Sequence, residues 1–147
     1  MHSCRTETRY TGGLSNANLE GCTVLVVEDD SDTRELYATA LTKLGAEVRA
    51  APSAEDALAI LADWRPDAVL CDLHLPGVDG YGLLALIRAD ERLGDLPVIA
   101  ISASHPELEG ERSLIAGFTQ HLVKPTKLRD IADSVAEVVL AARKRAQ

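Results

Sequence analysis

The stretch Ala68-Val69-Leu70-Cys71-Asp72-Leu73-His74-Leu75-Pro76-Gly77-Val78-Asp79-Gly80 sets an apolar run against a carboxylate, then a turn-rich loop. The apolar residues do not alternate with polar ones, so they read as a strand covered on both faces. A carboxylate closing such a strand is costly unless a cation or hydrogen-bond donors satisfy it. Two further apolar runs end on charge. Val24-Leu25-Val26-Val27 ends in Glu28 and Asp29, and Leu122-Val123 ends in Lys124. As parallel strands, these runs would bring four charges to one edge of one sheet. That arrangement suits a metal-dependent site at which Asp72 receives a phosphoryl group.

Working outward, the pattern alternates between strand and helix. Strands are expected over 23–28, 47–50, 68–72, 98–102 and 120–123. Helices are expected over 32–44, 53–62, 80–89, 106–116 and 128–143. The first helix carries Leu36, Ala40 and Leu44 at helical spacing and stops at Gly45. Ser53 followed by Asp56 resembles a capping box. The closing helix turns Leu128, Ile131, Val135 and Val138 or Val139 inward. Strands alternating with helices imply right-handed β-α-β units, hence a doubly wound α/β fold with a parallel sheet. Ligands of such folds sit outside the carboxyl ends of the strands, and Glu28, Asp29, Asp72, Ser102 and Lys124 all fall there.

At 147 residues the chain reads as one domain, residues 21–147, behind a flexible polar tail, residues 1–20. A net charge of -8 argues against a broad nucleic-acid footprint and favours a cation site slightly. The three cysteines, Cys4, Cys22 and Cys71, lack paired spacing, so reduced thiols in a cytoplasmic protein are expected, with Cys71 buried as a small hydrophobe. No run reaches membrane-span length, and the N-terminus has no apolar signal core.

Converging carboxylates repel one another, and hard oxygen ligands select Mg²⁺, with Mn²⁺ as second choice. Asp29 and Asp72 would bind directly, Glu28 through water, and the His74 backbone carbonyl would add an oxygen. Asp72 would then act as nucleophile toward a phosphoryl donor, while Lys124 and Ser102 cover the remaining phosphoryl oxygens. Taken singly, each residue has a plainer reading. Asp29-Asp30-Ser31 suits a helix N-cap, and Asp72 suits an Asx-turn. The signal lies in the order: acidic pair, Asp72, Ser102, Lys124, each at a different strand end.

These segments resemble the receiver domain of two-component response regulators, the CheY-like family, over about residues 22–142. Val24 to Asp30 resembles the family's first strand with its acidic pair, and Asp72 to Gly80 the phosphoacceptor segment. Ile101-Ser102-Ala103 resembles the switch hydroxyl followed by a small residue, and Lys124-Pro125 the active-site lysine with its cis-proline. The resemblance implies a flavodoxin-like, five-stranded parallel sheet in the order 2-1-3-4-5 with five helices. It also implies phosphotransfer to Asp72 from a histidine kinase or a histidine phosphotransfer protein. The output would be a contact with a downstream protein, without direct nucleic-acid binding or membrane insertion. A homodimer through the fourth-helix to fifth-helix face is compatible with it. Such a domain is a phosphoacceptor rather than an enzyme, though it assists its own phosphorylation and dephosphorylation. It would be a single-domain regulator or a receiver cut from a hybrid kinase.

His121 departs from the pattern, since the switch position three residues before the lysine is usually aromatic. Two other functions stay open at this point. One is a Mg²⁺-dependent aspartyl-phosphate phosphatase, although that family places its nucleophile on the first strand with a second Asp two residues on. The other is a receiver-like binding module that is never phosphorylated, against which the intact Asp29, Asp72, Ser102 and Lys124 set speaks.

Overall fold

A computed structural model describes residues 17–103, 112–114 and 116–146. Five strands form one parallel sheet: β1 (Thr23–Val27), β2 (Glu47–Ala51), β3 (Ala68–Asp72), β4 (Val98–Ser102) and β5 (Gln120–Val123). Their order is β2-β1-β3-β4-β5, as the resemblance implies. Helices α1 (Ser31–Lys43), α2 (Ala54–Leu61) and α3 (Gly80–Ala89) follow the first three strands, and α5 (Leu128–Arg145) closes the chain. Residues 112–114 and 116 are helical and represent α4. The rest of the helix expected over 106–116 lies outside the described residues.

Alternation along each strand splits the core in two. Val24, Val26, Leu70, Ile99 and Ile101 pack with Tyr37 and Leu41 of α1 and Ile131, Val135, Val138 and Val139 of α5. Leu25, Val27, Val69, Cys71, Val98 and Ala100 pack with Ala54, Ala57 and Leu61 of α2 and Leu83, Leu84 and Ile87 of α3. With apolar side chains on both faces, β1, β3 and β4 can only be interior strands. The register aligns the carboxyl ends. Val27 stands opposite Cys71, Asp72 opposite Ile101, and Ser102 opposite Val123. Hence the residues that close these strands meet at a common edge.

Side-chain caps start three helices where the sequence places them. Asp30 accepts the Thr33 N–H, Ser53 accepts the Asp56 N–H, and Asp79 accepts the Gly82 N–H.

Three expectations are corrected. Leu36 is 51% exposed, and α1 buries Tyr37 and Leu41 instead. Leu44 packs against the same cluster, so the inward stripe runs Tyr37, Leu41, Leu44 at the i, i+4, i+7 spacing of one helix face. The expected tail over 1–20 ends sooner, because Ala17 and Leu19 are buried in the core. The Leu19 N–H donates to the Leu44 carbonyl at 2.8 Å, and Gly45 turns beneath with φ +108°. A Cβ on Gly45 would stand 2.9 Å from the Glu20 nitrogen, so the turn and the incoming chain require glycine there. The remainder of the tail, residues 1–16, lies outside the described residues. Finally, Cys22 is disulfide-bonded, which overturns the expectation of a reduced thiol at that position. Cys71 is free and buried.

Candidate functional site

The acidic triplet after β1 divides three ways. Glu28 is only 2% exposed, and its Oε1 accepts from Lys124 Nζ at 3.1 Å. Its Oε2 accepts the Asp30 N–H at 3.2 Å. Asp29 turns outward and is exposed. Asp30 caps α1, accepting from both the backbone and the hydroxyl of Thr33. The N-cap reading of this segment is therefore realised by Asp30, while Glu28 beside it turns to Lys124.

Asp72, at 6% exposure, closes β3 beneath this segment. Its Oδ2 accepts from Lys124 Nζ at 3.0 Å, and its Oδ1 accepts the His74 N–H at 2.9 Å. The second contact is the Asx-turn that the residue suggests on its own. Gly80 lets the start of α3 lie against the end of β3, since a Cβ there would stand 2.7 Å from the Asp72 carbonyl. Glu28, Asp29 and Asp72 each offer a carboxylate oxygen within 4.8 Å of the others. One ammonium against three carboxylates leaves an excess of negative charge, the donor set that a hard divalent cation fits. His74 itself is exposed, next to this cluster in sequence.

Burial raises the Glu28 pKa above its ordinary value. The charge of Asp72 adds to the rise, while the Asp30 N–H and Lys124 oppose it. For Lys124, burial works against the charged form, yet its hydrogen bonds to Asp72 and Glu28 and their charges outweigh burial and raise its pKa. Lys124 is thus a firmly held ammonium bridging two buried carboxylates. Its peptide bond to Pro125 is cis.

Ser102, at the end of β4, is fully buried, and its Oγ lies 3.2 Å from His121 Nε2 on β5. His121 is half-buried. So Asp72, Glu28, Asp29 and Lys124 form one cluster, and Ser102 and His121 form a hydrogen-bonded pair at the neighbouring strands. Sequence reasoning missed Arg34. Its guanidinium donates to the Glu28 carbonyl at 2.9 Å and to the Asp29 carbonyl at 3.4 Å, tying down the acidic loop. The available signal was an arginine one turn into a helix capped by Asp30, because helical side chains lean back toward the N-terminus.

A cavity of about 720 Å³ lies at the other end of the sheet, by Asp67, Pro97 and Thr119, which precede β3, β4 and β5. Arg88 there donates to the carbonyls of Gly94, Leu96 and Gly117, and Arg143 to Gly21 and Asp67. Those arginines are taken up by the protein's own carbonyls and by the Asp67 carboxylate.

Residues 24–136 match the response regulator receiver domain family. The chain belongs to that family. Among its relatives, Protein PilG of Pseudomonas aeruginosa is 31% identical over 79% of this chain and 86% of its own length. The phosphate regulon transcriptional regulatory protein PhoB of the same organism is 32% identical over 81% of this chain, which spans 52% of that protein. A putative response regulator from Chloroflexus aurantiacus superposes with a TM-score of 0.77 at 32% identity, covering 81% of this chain and 98% of that one. This receiver domain therefore belongs to two-component signal transduction. No helix among the described residues is long and apolar enough to cross a membrane.

Proposed function

We propose that Asp72 is the phosphoacceptor of this receiver domain, working with Mg²⁺ or Mn²⁺. The observation that carries the reading is the Asp72 carboxylate, buried at a strand end, 3.0 Å from Lys124 and within 4.8 Å of the Glu28 and Asp29 carboxylates. Asp29, Asp72 and the His74 backbone carbonyl would hold the cation directly. Glu28, already committed to Lys124, would act through water. Bound there, the cation neutralises charge on the carboxylates and on the incoming phosphoryl group.

The chain's own residues do the rest. A carboxylate oxygen of Asp72 attacks phosphorus while the donor's bond to phosphorus breaks, the P–N bond of a phosphohistidine or the P–O bond of an acyl phosphate. The leaving group carries away the electron pair. Lys124 stands on Asp72 as a fixed positive charge for the transferred group's oxygens. The Ser102 hydroxyl supplies a neutral donor to another oxygen. Phosphorylation shifts an existing conformational equilibrium and so changes a protein-binding face around β5 and α5.

The donor is a histidine kinase or a histidine phosphotransfer protein, and the output is a contact with a downstream protein. A homodimer through the helical face beside β5 is one form that contact can take. We read the receiver unit as beginning by Ala17, since Leu19 packs in its core, and we place it in the cytoplasm, acting as a phosphoacceptor rather than as an enzyme on small substrates.

The test is incubation with Mg²⁺ and acetyl phosphate followed by intact-mass measurement. One acid-labile phosphate is expected, lost in Asp72→Asn and without added Mg²⁺. An unmodified wild-type chain would overturn the reading. Rapid turnover of many phosphate esters would point to a phosphatase instead.

A further inference from the structure

We infer that His121 is a positioning residue for the Ser102 hydroxyl, holding it in the resting state and competing for it with a phosphoryl group on Asp72. This rests on Asp72 being the phosphoacceptor, and it assigns a regulator within that same site.

The argument starts from the hydroxyl. Ser102 is fully buried, so its polar group must be satisfied inside the protein. A serine hydroxyl has one proton to give. Its Oγ lies 3.2 Å from Nε2 of His121, within hydrogen-bonding distance. Ser102 ends β4, whose neighbour β3 ends in Asp72, with Asp72 opposite Ile101 in the register. On the other side β5 sets Ala100 opposite His121 and Ser102 opposite Val123. The hydroxyl thus stands between two claimants, an imidazole on β5 and the carboxylate end of β3.

An apolar ring at position 121 could not bind the hydroxyl, so the interaction is a consequence of histidine at this place. With Nδ1 protonated, Nε2 accepts the Ser102 proton, the same proton that a phosphoryl oxygen would take. With Nε2 protonated, the imidazole donates to Oγ and fixes the rotamer. In the first case the two claimants compete for one proton; in the second the proton stays free, and what is given up on turning Oγ toward Asp72 is the rotamer in which Oγ accepts from Nε2. Serine lacks the second Cβ substituent that would restrict χ1, so the imidazole is what selects the rotamer. A neutral hydrogen bond in this range shifts an equilibrium by about 2- to 10-fold.

The test is a double-mutant cycle read by beryllofluoride binding with Mg²⁺, followed by nuclear magnetic resonance or thermal shift. His121→Phe is expected to raise beryllofluoride affinity about 2- to 10-fold. In a Ser102→Ala background the same substitution is expected to have no effect, because no hydroxyl is left to compete for. His121→Gln, which restores a side-chain amide at similar reach, is expected to return affinity toward wild type. A purely packing role for His121 would shift affinity equally in both backgrounds, and that result overturns the inference, as does an unchanged affinity in His121→Phe. If wild type fails to bind beryllofluoride at all, the phosphoacceptor reading falls and takes this one with it. If His121→Phe fails to fold, judged by its melting curve, the His121→Gln and His121→Asn pair decides. With Ser102 present, His121→Asn, too short to reach Oγ, is expected to raise affinity while His121→Gln stays near wild type; equal affinities for both variants and wild type in that background would sink the proposal.

Discussion

Replacing Lys124 by methionine keeps the aliphatic stem and removes the one charge that Glu28 and Asp72 share. The ammonium lies 3.1 Å from Glu28 and 3.0 Å from Asp72. At those distances each attraction is roughly 5 kcal/mol for an effective dielectric near 20. Most of that offsets the cost of taking three charges out of water, and the lysine side chain keeps 26% exposure, so solvent screens part of the remainder. We expect a net loss of about 2–3 kcal/mol at pH 7, a fall in Tm of about 4–12 °C for a domain of this size. The pH dependence carries the diagnosis. Lys124 has a raised pKa in the folded state, so its contribution is complete at any pH below the ordinary lysine range and is lost only above it. Glu28 has a raised pKa because it is buried, and removing Lys124 takes away a partner that lowers it. The folded variant therefore takes up a proton at higher pH than the unfolded chain does, and its stability rises as pH falls toward the ordinary glutamate range. Urea melts of both proteins at pH 7 and pH 5 should show the gap narrowing at the lower pH. A gap that is absent at pH 7, or equal at both, would refute the claim that Lys124 neutralises buried carboxylates.

Leu19→Ala should cost about 2–4 kcal/mol in the same urea melts, because Leu19 is wholly buried in the core cluster formed with α1 and α5. A loss below about 0.5 kcal/mol would mean that residues 17–20 belong to a detached tail after all. Cys71 should resist alkylation in the native protein, read by site-resolved mass spectrometry, since it is fully buried and burial raises its thiol pKa. Raising the pH from 7 to 9 accelerates an ordinary thiol, so a comparable acceleration at Cys71 would contradict its burial.

The sequence by itself determined the alternation of strands and helices, the caps at the Asp29-Asp30-Ser31 cluster and Ser53, and the charged residues that close the strands. Those properties are local: an apolar run, a turn residue and a charge at a run's end can be read within a few residues. The order of acidic pair, Asp72, Ser102 and Lys124 was legible for the same reason, once parallel pairing was assumed. Only the tertiary structure decided which stripe of α1 faces inward, because Leu36–Ala40–Leu44 (i, i+4, i+8) and Tyr37–Leu41–Leu44 (i, i+4, i+7) both suit one helix face, and α5 and the sheet choose between them. It also divided Glu28, Asp29 and Asp30 among a lysine partner, an outward carboxylate and a helix cap. Leu19 entered the core because Leu44 and Gly45 lie beside it, a contact that no local pattern announces. Arg34 over the acidic loop and His121 against Ser102 belong to the same class. A hydrogen bond between residues on different elements depends on register and on the reach of side chains, and both are set by how the sheet and helices pack.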